Sequence, residues 1–424
     1  MSNTDLFRVL TALALLLLAA RLAGQAFLKL RLPPVIGEIL GGLLLGPTLF
    51  GAVAPGPQQW LFPKDGPPAA GLGLVYQLGM LLLMFLAGME MRVVFSRDER
   101  RTVAWVAVVG MAVPFVFAVV ALRWVDTSRI IGPLGSTAAL TLVVGIGMAV
   151  TSIPVISRIM LDLGIIRTRF AGIVLSVAVA EDVVLNVLLA VALGMSDEHQ
   201  GRTFGLQHLF GIETVTGSAI YSAVAAIAFF AVAALVAAVL TKRRAATPET
   251  SRGARPVAVH MLVFLGLVVL CLFLGITPIF GTFVLGLMMS GEVQRAQSGS
   301  SRVIAGFASG FFIPVYFAVV GLRLDLLGAL DLWFTVPFIA VACVVKATSV
   351  YAGARMVGTP PVGSANLAVA MNARGGPGIV LATVAHDNGI VNDEMFTTLV
   401  LTAVVTSLMA GAWLRAASDR GLLE

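Results

Sequence analysis

Apolar residues run along this chain in blocks about as long as a bilayer is thick, divided by short polar stretches rich in arginine. Roughly 20 helical residues cross ~30 Å of hydrocarbon, and only helices or closed barrels satisfy their backbone groups there. The blocks lack the strict alternation of a barrel strand, so they predict helices. Thirteen spans can be drawn: residues 6–26, 34–50, 71–91, 103–124, 134–159, 170–193, 217–240, 257–274, 278–290, 304–322, 332–354, 364–385 and 395–414. The eighth and ninth are divided at Gly275 and Pro278. Without that break they would make one helix of about 50 Å, too long for a single crossing. The first span has the alternative of a cleaved signal peptide, since Arg8 precedes a leucine-rich run, but the run continues to Phe27 and is expected to be retained.

Composition and charge narrow the class. The chain is 58% hydrophobic and 12% charged, with a mean hydropathy of +0.98. A soluble domain carries roughly 25% charged residues, so a large soluble enzyme is excluded. The net charge of +6 is not a nucleic-acid signature, because the basic residues stand in short runs between apolar blocks. With the N-terminus outside, cytoplasmic segments hold 20 of the 28 lysines and arginines, while outer segments hold Arg8, Lys64, Arg123, Arg129, Arg202 and Arg323. That asymmetry follows the positive-inside rule and puts the C-terminus in the cytoplasm. The two remaining bases, Lys346 and Arg374, fall inside spans. Cys271 and Cys343 lie within apolar runs, which excludes a disulfide framework or a zinc site.

The chain also carries an internal repeat. Pro34-Val-Ile-Gly37 with Gly42 in the second span matches Pro278-Ile-Phe-Gly281 with Gly286 in the ninth, and Gly88-Met-Glu-Met echoes Gly321-Leu-Arg-Leu. Chance likeness between glycine-rich apolar helices is the alternative. An offset of seven helices places the copies in opposite orientations, as in inverted-repeat transporters. The fifth span is interrupted by Thr151-Ser152-Ile153-Pro154 and the twelfth by Asn372-Ala-Arg374-Gly375-Gly376-Pro377. Proline removes an amide donor and clashes with the preceding turn. Interruptions at matching positions of two halves point to a binding site.

Charges inside the membrane are expensive and mark ion pathways or mutual pairs. The sixth span holds Glu181 and Asp182 near its middle, with Asn186 one turn beyond, and the eleventh holds Lys346. Adjacent helical residues point ~100° apart, so one carboxylate can pair with Lys346 while the other faces the interruption. Hydroxyls and freed carbonyls of Thr151 and Ser152 are expected to complete an oxygen shell, with Asn186 steadying Asp182. A purely structural charge cluster is the alternative. Burial raises a carboxylate's pKa and a nearby ammonium lowers it; balanced near the working pH, such a group binds either a proton or a hard monovalent cation. Exclusive occupancy with alternating access yields exchange. An intramembrane enzyme fares badly, because His199, His208, His260 and His386 sit in loops or at helix ends. Gly41-Gly-Leu-Leu-Leu-Gly46 lacks the Lys-Ser/Thr sequel of a nucleotide loop.

On these motifs the sequence resembles the monovalent cation:proton antiporter superfamily, in its NapA-like and Kef-like branch. The likeness rests on residues 34–47 (PVIGEILGGLLLGP), Phe85-Leu-Ala-Gly-Met-Glu90, Thr151-Ser152 with Arg158, Glu181-Asp182, Lys346 and Asn372-Ala-Arg-Gly-Gly376. It implies an all-α membrane protein of about thirteen helices, with inverted repeats and crossed, discontinuous fifth and twelfth helices. It also implies elevator-like motion of a core against a dimerising scaffold. On that plan 1–91 is scaffold plus core helix 3, 103–193 holds core helices, 217–240 is a linker, 257–290 is scaffold, 304–322 is the tenth helix, and 332–414 is core. Asp182 then matches the acid that binds cation or proton, with Thr151 beside it at the ion site. Glu181 matches its neighbour, Lys346 the partner on the eleventh helix, and Arg374 the base at the twelfth-helix break. Glu181 stands where electrogenic sodium/proton relatives have aspartate and electroneutral ones a neutral residue, which leans toward electrogenic exchange. The expected activity is exchange of Na⁺ or K⁺ for H⁺ in a prokaryotic plasma membrane, with a Kef-type potassium efflux protein as the alternative. The transported ions are substrates and no cofactor is called for. Expected partners are membrane lipids and a second copy of the chain, with no nucleic acid. Kef-type relatives carry a soluble regulatory domain; the chain ends soon after the thirteenth span, so such regulation would come from a separate subunit.

Overall fold

The computed structural model describes the chain except for residues 1, 31–32, 91–98, 166–167, 277, 296–298 and 424, and residues 196–256 apart from scattered positions between 206 and 235. The side chains of some helical residues, Pro154, Arg158 and Asn186 among them, also lie outside the described part. The described residues are helical, with one isolated antiparallel bridge between Ile131 and Val391.

In chain order the helices are α1 (Asn3–Lys29), α2 (Pro34–Leu45), α3 (Pro55–Leu61), α4 (Pro67–Glu90), α5 (Arg100–Ala121), α6 (Thr137–Ala149), α7 (Ile153–Asp162) and α8 (Arg169–Gly194). They continue as α9 (Val257–Phe273), α10 (Pro278–Arg295), α11 (Gly299–Phe307), α12 (Ile313–Arg323), α13 (Leu332–Met356), α14 (Pro361–Ala370), α15 (Gly375–Asp387) and α16 (Asp393–Asp419). Ordinary caps set several starts: Ser136, Thr168, Asp331 and Asn392 each accept a backbone amide at the head of α6, α8, α13 and α16.

Among the described residues nine helices are long and apolar enough to cross a membrane. The other four expected spans divide as follows. The fifth is split between α6 and α7, the eighth and ninth are the 17-residue α9 and 18-residue α10, and 217–240 lies largely outside the described residues.

The helices pack in two groups. In one, α2 lies between α1 and α12, and α4 between α10 and α12. In the other, α5, α6 and α8 pack with α7 and with α13 to α16. The third span was expected as a core helix; α4 packs mainly on α1, α10 and α12, and meets the second group at α7, around the Asp182 cavity and at Asp387. The repeat is visible in the packing. Gly42 of α2 presses on the backbone of Ala318 in α12, and its counterpart Gly286 of α10 presses on Phe85 and Gly88 in α4. A Cβ at either glycine would overlap its neighbour's backbone. The second-span copy thus meets the tenth as the ninth meets the third, which is the exchange of partners an inverted repeat produces. Burial grades inward: the best window of Asn3–Lys29 is 22% buried, whereas that of Pro361–Asp387 is 89% buried. The second interruption therefore sits deep in protein.

Candidate functional site

Both interruptions are breaks in the helical backbone. α6 stops because Val150 turns extended (φ −65°, ψ 144°), and α7 starts three residues later. Ser152 heads α7, its hydroxyl accepting the Val155 amide at 3.4 Å. Pro154 falls in the first turn of α7, where a missing amide costs no helix bond. The second break runs from Met371 to Arg374 and ends at Gly375, whose φ of +33° admits few residues but glycine. A side chain there would also strike Val155 and Ser152. Gly376 has no such neighbour, and nothing in the packing requires glycine there.

The breaks bind each other. The Ser152 amide donates to the Ala373 carbonyl at 2.5 Å, and the Thr151 hydroxyl donates to the Met371 carbonyl at 2.7 Å. Thr151 and Ser152 are fully buried. α16 closes the far side, where Thr406 and Ser407 hydroxyls accept the amides of Arg374 and Gly375 at 3.4 and 3.0 Å.

Two buried cations meet the carbonyl end of α6. Such an end carries unsatisfied carbonyls and partial negative charge. Arg374 donates to Gly147 at 2.9 Å and Met148 at 3.0 Å, and also to Ala342 at 2.9 Å and the Asn372 side-chain oxygen at 3.1 Å. Asn372 is held in turn by its own amide, which donates to the carbonyls of Cys343 and Ala368 at 3.2 Å each. Lys346 donates to Ala149 at 2.5 Å, Gly110 at 3.0 Å and Glu181 Oε1 at 2.8 Å. Lys346 and Glu181 side chains are both wholly buried, and Glu181 Oε2 has no hydrogen-bond partner among the described residues.

Asp182 turns elsewhere. One residue further along α8 it lines a cavity of about 40 Å³, room for roughly two or three waters. The wall comes from both packing groups: Met84 of α4 and Phe283 of α10 face Val150, Leu185 and Pro377 from the other side. Asp182 is the one polar side chain in that lining, and no described residue donates a hydrogen bond to it. The structure thus brings Glu181, Lys346, Arg374, Asn372, Thr151, Ser152 and Gly375 into one cluster of side chains and backbone at the crossing, with Asp182 beside it in the cavity. Thr151 and Ser152 face the second break rather than the cavity. The Asn186 side chain lies outside the described residues.

Sequence reasoning did not find Thr406, Ser407 or the Gly110 carbonyl. The hydroxyls left a signal: Thr402 and Thr406 stand four residues apart, with Ser407 beside them, on one face of the thirteenth span.

Chemically, the Glu181–Lys346 pair is internally neutral and Arg374 is committed to carbonyl dipoles. Asp182 remains as an acid unpaired with either base, facing a small cavity between two packing groups and beside two crossed half-helices. A helical bundle of this kind is a secondary transporter. The chain belongs to the family of transmembrane sodium/hydrogen exchangers, which matches residues 13–418. It is 27% identical over 414 residues to the Na(+)/H(+) antiporter NhaS4 of Synechocystis, covering 96% of this chain and 97% of that protein. It is 24% identical to the Na(+)/H(+)-K(+) antiporter GerN of Bacillus cereus, over 96% of each. It is 28% identical to K(+)/H(+) antiporter 1 of Saccharomyces cerevisiae, covering 96% of this chain but 46% of the yeast protein. The solved structure of the sodium proton antiporter MjNhaP1 from Methanocaldococcus jannaschii superimposes with a TM-score of 0.68 over 99% of this chain and 98% of that one. At 14% identity this likeness establishes the fold, the one expected from the motifs.

Proposed function

We propose that the chain exchanges a monovalent cation, Na⁺ or K⁺, for H⁺ by alternating access, with Asp182 as the group that holds either one. The observation that carries the reading is the division of labour between neighbouring acids. Glu181 is spent on Lys346, while Asp182 lines a cavity of water-sized room between the two packing groups with no competing cation bonded to it. A protonated carboxyl there repels a cation, and a bound cation excludes the proton. Glu181, Lys346 and Arg374 fix the crossing. Thr151 and Ser152 supply oxygens to the cation only in a conformation that turns the first break toward Asp182.

The arginine asymmetry supports an N-terminus outside and a C-terminus in the cytoplasm of a prokaryotic plasma membrane. The largely exposed α1 and the packing of α1, α2, α4, α10 and α12 support their use as a scaffold that pairs with a second copy. α5 to α8 and α13 to α16 would then be the moving core. The relatives' names concern exchangers and lend no support to the channel-like efflux alternative.

The test is reconstitution in liposomes carrying an imposed pH gradient. Adding Na⁺ or K⁺ should dissipate the gradient, and Asp182→Asn should abolish the effect. Exchange that persists in Asp182→Asn would remove this residue from the mechanism; ion current with no proton movement would restore the efflux reading.

A further inference from the structure

A second polar cluster joins the two packing groups at the far end of the same helices. Arg323, the last residue of α12, forms an ion pair with Asp387, the last residue of α15. The Tyr76 hydroxyl of α4 donates to the other Asp387 oxygen at 3.2 Å. The Arg323 guanidinium lies 4.4 Å over the Tyr76 ring and donates to its hydroxyl at 3.4 Å. Tyr76 is itself almost wholly buried and stacks on Tyr316 of α12 at 5.3 Å.

Three facts give this cluster meaning. Arg323 and Tyr76 belong to the group containing α4 and α12, whereas Asp387 belongs to the group containing α15. The bonds therefore cross the boundary along which the Asp182 cavity lies. α4 and α15 also form walls of that cavity, through Met84 and Ala87 on one and Pro377, Val380 and Leu381 on the other. Tyr76 precedes Met84 by two turns and Asp387 follows Val380 by two turns, so the cluster closes the cleft between these helices beyond the cavity. Finally, the buried hydroxyls of Tyr316 and Thr383 lie near each other beneath the cluster, and neither makes a hydrogen bond of good geometry among the described residues. Buried hydroxyls are nearly always paired, and an unpaired one marks a place for water.

We propose that Tyr76, Arg323 and Asp387 form a gate on the transport path, shut in this structure, and that the Tyr316 and Thr383 hydroxyls line the path it shuts. The proposal rests on the exchange reading above and, for the side on which the gate lies, on the N-terminus being outside. Alternating access then requires the Asp387 bonds to break once per cycle. A bridge of partly exposed charges, with a tyrosine as its third member, suits a contact that has to open repeatedly. A fully desolvated pair such as Glu181–Lys346 does not.

The test reads access rather than transport, so it stands apart from the flux assay. Cysteine is placed at the cavity wall as Val380→Cys and labelled in proteoliposomes by a membrane-impermeant thiol reagent, with the chain lacking that substitution as background. Added on the side of the Asp387 end, the reagent should react at least tenfold faster when Asp387→Asn or Arg323→Gln is introduced. The exchange of charges, Arg323→Asp with Asp387→Arg, should restore slow labelling. Tyr76→Phe removes one hydroxyl from a stack that stays, and should give a smaller increase; it carries the test if the charge variants do not fold. Unchanged labelling in the variants that fold would overturn the gate, as would an increase that the charge exchange fails to reverse. Faster labelling with flux absent in every variant would keep the gate and reject the exchange reading.

Discussion

Lys346 uses all three ammonium hydrogens inside the protein, on Glu181 and on the carbonyls of Gly110 and Ala149. Removing one member of such a pair strands a buried charge, at about 3–5 kcal/mol, whereas removing both is far milder. Lys346→Met alone should therefore lower unfolding stability in detergent by about that amount, and the double variant with Glu181→Gln should recover most of it. Equal losses in single and double variants would show that the pair is not a unit. Protons should also compete with the cation at Asp182. Below the pKa of that carboxyl, the apparent cation KM should rise about tenfold per unit fall in pH, as read from the cation dependence of exchange at several pH values. A KM independent of pH would place proton binding elsewhere. At this scale the sequence was informative about which residues the fold gathers at the crossing, because charges stand out in apolar spans. It did not say which acid meets Lys346, since neighbouring helical positions differ by ~100° and either could face it. The rotation of α8 against α5 and α6 makes that choice, and it depends on packing from distant parts of the chain.

At the level of elements, the crossing is held by backbone bonds between the breaks and by hydroxyls from α16. Ser407→Ala should cost about 1 kcal/mol, as loss of a helix cap does, and should weaken cation affinity several-fold by loosening Gly375. The cation dependence of exchange checks this, and an unaltered KM would contradict it. Gly375→Ala should be worse, because it forces a side chain into left-handed backbone and onto Val155. Proline and paired glycines made both breaks legible in sequence. The caps were not, because Thr406 and Ser407 also bond their own helix at Thr402 and Ala403, the ordinary habit of such residues in membrane helices. The direction of the Thr151 hydroxyl was not legible for a similar reason. A residue at a break can face either side, and here its hydroxyl is given to Met371.

For the whole molecule, the inverted repeat and the pairing of α2 with α12 and α10 with α4 were foreshadowed by matched glycines in the second and ninth spans. The membership of α4 was not, because its apolar sequence carries no mark of which neighbours it will have. Its position matters, since it puts Met84 and Ala87 opposite Asp182 and makes the cavity a boundary between two bodies. Exchange requires that boundary to hold one carboxylate with two exclusive occupants. Detergent-solubilised protein in weakly buffered solution tests this directly, by following pH as Na⁺ or K⁺ is added. Cation binding should release protons from the wild-type chain and none from Asp182→Asn. Cation binding without proton release, or release that survives in Asp182→Asn, would contradict it.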